Sequence, residues 1–80
     1  MEGIHVLLSE LNRGEKARIV DLSRVNDMVK RRLLDLGVME GMEIQLKERM
    51  PFKGPFMLNH GGQCLGIRHQ EAVQIEIKRL

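Results

Sequence analysis

Apolar residues in this chain recur mostly at every second position, in short runs cut by glycine. Met42, Ile44 and Leu46 alternate with Glu43, Gln45 and Lys47, and Val73, Ile75 and Ile77 alternate with Gln74, Glu76 and Lys78. Ala17 and Ile19, with Val20, lead to Leu22 among Lys16, Arg18 and Asp21, and Phe56 with Leu58 and Leu65 with Ile67 alternate in the same way. A period of two puts one side of each run toward a core, so the pattern predicts four or five short antiparallel strands. The pair Gly61-Gly62 fits a two-residue loop with positive φ at both positions, with His60 opposite Gln63 and Asn59 opposite Cys64. In that register Phe56, Leu58, Leu65 and Ile67 share one face, while Met57, Cys64 and Arg68 share the other. Closing such strands into a small barrel removes exposed edges.

One segment departs from this rhythm. Val25, Val29, Leu33 and Leu36 fall within about 80° on a helical wheel, which gives one apolar stripe. Asn26 or Ser23 can cap the start, and Gly37 suits a left-handed residue at the end. Lys30, Arg31 and Arg32 fall in the second half, where cations suit the helix dipole. A helix over about residues 26–36 follows, and a further helical turn over His69–Val73. With eighty residues, one domain exhausts the chain, and its core is small.

The charges and rings narrow the function classes. Thirteen Lys and Arg against eleven Asp and Glu leave +2, and only Phe52 and Phe56 are aromatic. Both facts argue against a nucleic-acid surface, and the lack of rings argues against a Pro-rich-peptide groove. A lone cysteine, Cys64, excludes an internal disulfide and suits a reducing, cytoplasmic setting. No apolar run reaches the roughly 18–20 residues of a membrane span, so no direct membrane insertion is expected. His5, His60, His69 and Cys64 are the soft or borderline metal ligands, but His60 and Cys64 fall on opposite faces of the hairpin. No metal site, resident cofactor or catalytic constellation is assigned; Glu40 and Glu43 read as surface carboxylates.

Some apolar residues exceed what the core needs. Leu34 lies about 180° from Val25 on the helix, Met39 follows Gly37, and Met50, Pro51 and Phe52 occupy a loop. They form either a second layer of core or an adaptable patch for a partner, since thioethers fill irregular contacts. Leu33 and Leu36 would be core beneath such a patch.

The stretch from Arg32-Leu33-Leu34-Asp35-Leu36-Gly37-Val38-Met39-Glu40-Gly41 to Ile44 resembles the hallmark helix–turn–strand of FeoA-like proteins. Met50-Pro51-Phe52-Lys53-Gly54-Pro55 resembles that family's loop before its central hairpin. Leu65 to Ala72, and then Val73 to Lys78, resembles its closing strand, turn and last strand; Leu8 to Ile19 resembles its entry. The resemblance runs through essentially the whole chain. It implies an SH3-like β-barrel of five or six antiparallel strands with one inserted α-helix, an architecture shared with the C-terminal domain of diphtheria-toxin-repressor-type regulators. It also implies a small cytoplasmic accessory protein that binds and modulates a FeoB-type ferrous iron transporter, through its G-protein domain or its membrane part. The partner surface would then hold Leu34, Met39 and Phe52, with Arg32 and Lys53 beside them. A weak homo-oligomer through the same patch is the other use of such a surface. The rival class is a metal-responsive regulatory domain related to those repressors.

Overall fold

The structure, a computed structural model, describes residues 4–80. Six strands form one antiparallel sheet: β1 (His5–Leu7), β2 (Lys16–Asp21), β3 (Glu43–Arg49), β4 (Phe56–His60), β5 (Gln63–Ile67) and β6 (Glu76–Arg79). Two helices are inserted, α1 (Asp27–Asp35) between β2 and β3, and α2 (His69–Ala72) between β5 and β6. The strand order is β1-β6-β2-β3-β4-β5. The ladder is mainly β and SH3-like in content, as expected, but β1 and β5 are not paired with each other, so the sheet is not closed.

The alternation explains what is buried. Ala17, Ile19, Ile44, Leu46, Phe56, Leu58, Ile67 and Ile77 all face the core, and their strand neighbours Arg18, Gln45, Met57 and Lys78 are less covered. The hairpin register is the expected one, with His60 opposite Gln63 and Asn59 opposite Cys64. Gly61 and Gly62 have φ of 54° and 83°, which a β-carbon would resist. Before β2, a 3-10 turn at Leu8–Glu10 sends Leu8 and Leu11 into the core. Strand β1, too short to announce itself by alternation, pairs with β6.

At α1 the expected cap is present: the Asn26 side-chain oxygen accepts from the Val29 N–H at 2.9 Å. Leu33 is fully buried, but Leu36, expected in the core, is 37% exposed. The helix ends one residue before it. Gly37, with φ of 85°, turns the chain so that the Val38 N–H reaches the Leu33 carbonyl and the Gly37 N–H reaches the Leu34 carbonyl. That is a Schellman ending, whose apolar contact joins Leu33 to Val38, and Val38 takes the core position. The helical turn expected over His69–Val73 is α2, with Val73 at its C-cap; what is corrected is the alternation with Ile75 and Ile77, since Val73 is 40% exposed while those two are buried.

Near the start of β2, Glu15 accepts from the Asn12 N–H at 2.6 Å and from Arg79 Nε at 3.0 Å. The Asn12 hydrogen bond first, and the Arg79 charge after it, hold its carboxyl below the usual glutamate range. Asp21 is lowered likewise by its hydrogen bonds with Ser23. A carboxylate with a lowered folded pKa stabilises the fold above its unfolded value, about 4.3 for Glu and 3.9 for Asp, and loses that contribution as pH falls through the folded value. Thermal melting followed against pH should therefore show Glu15→Gln less stable than the unchanged protein at neutral pH, with the difference vanishing in strong acid. A constant difference across the range would refute the assignment.

Candidate functional site

The tip of the β3–β4 hairpin projects past the core. A bulge between Leu46 and Glu48 shifts its register, and beyond it Glu48 faces Met57 and Arg49 faces Phe56. At the tip the Gly54 N–H donates to the Pro51 carbonyl at 3.1 Å, closing a four-residue turn, and the Met50 N–H reaches the Pro55 carbonyl. Its two central residues, Phe52 and Lys53, have φ of 59° and 57°. Two positive φ values are the sign pattern of a type I′ turn, which glycine, asparagine and aspartate normally supply. A residue with a β-carbon there costs about 1–2 kcal/mol. The Phe52 side chain is 99% exposed, so no burial offsets that strain.

Lys53 stands on the wall of a cleft of about 590 Å³, and Arg32 of α1 lines the same cleft. Arg68, His69 and Gln70, from the end of β5 and the start of α2, complete its polar lining, and the apolar lining comes from Pro55, Met57 and Gly66. The His69 ring lies 5.8 Å from the ring of the core residue Phe56. On the hairpin, the Arg49 guanidinium sits 5.3 Å from the Phe56 ring centroid.

Arg32 is fixed in place by Glu71. Its Nη1 donates to both Glu71 carboxylate oxygens, at 2.6 and 2.8 Å, and the Arg68 N–H donates to one of them at 2.8 Å. Glu71 is 1% exposed and is the buried charged residue among the described residues; Arg32 keeps a third of its side chain in solvent. One carboxylate thus joins α1 to the first turn of α2. Only the reciprocal half of a capping box is present, with Glu71 accepting from the Arg68 N–H; arginine has no acceptor to cap a helix, so the sequence carries no Ser/Thr-x-x-Glu signal here, and the Arg32 partner lies 39 positions away.

The residues expected to form a partner surface are divided by the structure. Arg32 and Lys53 share the cleft. Leu34 lies in a shallower depression along α1 with Asp27, Lys30, Arg31 and Asp35, and is 54% exposed. Met39, in the connection between α1 and β3, is 60% exposed. None of Leu34, Met39, Met50 or Phe52 is taken into a second core layer. Met28, not singled out from the sequence, is 86% exposed, and Arg68, His69 and Gln70 were missed as cleft residues. Among the described residues, no three His, Cys, Asp or Glu side chains come together as a metal site. No helix among them is long and apolar enough to cross a membrane.

Breaking the buried pair should be asymmetric. Arg32→Met leaves the Glu71 carboxylate buried and unpaired, at a cost of about 3 kcal/mol; Glu71→Gln keeps an acceptor for Arg68 and leaves Arg32 partly in water, at about 1–2 kcal/mol. Urea unfolding should show this order, with the double variant Arg32→Met/Glu71→Met recovering part of the loss. Equal and additive losses would contradict it.

Comparison with solved structures places this geometry among known proteins. An iron uptake regulatory protein, FeoA, is 27% identical with a TM-score of 0.84, covering 96% of this chain and 100% of its own. The FeoA protein from Chlorobium tepidum is 32% identical with a TM-score of 0.83, covering 94% of this chain and 70% of its own. A manganese-dependent transcriptional repressor superposes at a TM-score of 0.88 with 14% identity, over all of this chain and 44% of the repressor, which shows a shared fold alone. No curated protein matches the chain by sequence. The FeoA domain model matches residues 6–79, nearly the full length: the chain belongs to the FeoA-domain family.

Proposed function

We propose that this chain is a non-catalytic accessory protein of ferrous iron uptake, which docks on the cytoplasmic part of a FeoB-type transporter and modulates it. Membership of the FeoA-domain family points to the iron transport system. The observation that carries the docking reading is Phe52, a fully exposed ring on a turn whose backbone is strained to present it. Unrelieved strain of this kind is characteristic of functional segments, and an aromatic anchor is a frequent centre of binding energy. Leu34 and Met39 supply further exposed apolar surface, and Lys53 and Arg32 lie on the cleft beside the turn. The rival reading, a metal-responsive regulator, draws support from the repressor fold only.

The test is capture of the transporter's G-protein domain by this protein, with and without guanine nucleotide. Capture is expected, and it should fall sharply for Phe52→Ser and Leu34→Gln while both variants melt within about 0.5 kcal/mol of the unchanged protein. A sharper contrast comes from Phe52→Asn/Lys53→Gly, which gives the turn the residues its φ values favour. That variant should gain about 1 kcal/mol of stability and lose capture. Retained capture by all three variants would remove these residues from the interface.

A further inference from the structure

The cleft beside Phe52 has more positive charge than the fold uses. Lys53 and Arg68 are exposed and form no ion pair among the described residues. Arg32 spends only Nη1 on Glu71, so Nη2 and Nε keep no protein partner among those residues, and the guanidinium is held rigidly at the cleft wall. No carboxylate lines the cleft. Between these cations lies apolar surface from Pro55 and Met57, and Gly66 contributes no side chain; a β-carbon built there would approach only the Met57 thioether, at 3.7 Å. A volume of about 590 Å³ accommodates a few residues of another chain.

We propose that this cleft takes an extended acidic segment of a protein partner, with carboxylates on Lys53, Arg68 and the free edge of Arg32, and an apolar side chain against Pro55 and Met57. This rests on the reading of the chain as a docking protein and adds the chemistry of what it docks. The three cations stand on separate segments: α1, the β3–β4 turn and the residue that precedes α2. A cleft of about 590 Å³ is several times larger than one compact anion, so carboxylates strung along a chain, with an apolar side chain between them, fill it better. A guanidinium already held by Glu71 loses little freedom when its Nη2 and Nε donate to a second carboxylate, which favours a bidentate contact.

The test uses fluorescence anisotropy of a labelled short peptide alternating glutamate and leucine, at low salt, with its glutamine counterpart as the neutral control. Saturable binding of the glutamate peptide alone is expected, weakening as salt rises. The double reversal Lys53→Glu/Arg68→Glu should weaken it by about tenfold or more, since each charge-assisted contact is worth that order. The matched reversal Lys16→Glu/Lys47→Glu, outside the cleft and equally exposed, should leave it nearly unchanged. Equal binding of the two peptides, equal loss with the two double variants, or no binding would overturn the proposal. So would displacement of the peptide by millimolar inorganic phosphate, which marks a compact-anion site, or binding of phosphatidylglycerol vesicles in place of the peptide, which marks a lipid surface. If the transporter's G-protein domain is captured but Lys53→Glu/Arg68→Glu captures it equally well, the acidic-segment assignment fails while the docking reading stands.

Discussion

A single buried carboxylate sets the relation between the two helices. Glu71 has almost no contact with water, and its oxygens are satisfied by the Arg32 guanidinium and the Arg68 N–H. Such a group is costly to bury alone and tolerable only when its partners are held in good geometry. Here the partners belong to α1 and to the start of α2, so satisfying the charge also positions both. The consequence is a cleft with one rigid wall, Arg32, facing a hairpin tip that bears Lys53. The pair is better understood as fixing an arrangement than as adding stability, since apolar residues of similar volume can do as well energetically.

The hairpin tip reflects the opposite economy. The core reaches Phe56, opposite Arg49 at the last pair of the ladder beyond the bulge, and only the turn from Met50 to Phe52 and Lys53 extends past it into solvent. Nothing in the fold requires a phenylalanine at a positive φ in solvent, and both features work against stability. Local rules broken without a structural return are concentrated where a protein meets something else. The strained turn and the cationic cleft adjoin through Lys53, so an apolar anchor and an electrostatic contact would be presented together. Anchors of these two kinds divide the work of binding, with the ring supplying affinity and the charges selecting the partner and its orientation.

Sequence legibility followed the range of the interaction. The Gly61-Gly62 hairpin, the Asn26 cap and the exposure of Leu34 rest on residues a few positions apart, and each was readable. Leu36 and Val73 were misplaced because a periodicity was carried past a helix end, where Gly37 in one case and the turn of α2 in the other change which side faces inward. β1 was invisible because three residues show no period. The Arg32–Glu71 pair and the cleft could not be read, since they join segments far apart in the chain. Phe52 was singled out as surplus apolar surface, but its strained backbone is a property of the folded turn alone.

The most direct test is amide chemical-shift mapping of the isotope-labelled protein during titration with the cytoplasmic domain of a FeoB-type transporter. If the hairpin tip and the cleft form the docking surface, the largest shifts fall at Phe52, Lys53, Gly66 and Arg68, with β1 and β6 unmoved. Shifts centred on β1 and β6, with the hairpin tip and cleft silent, would contradict that placement.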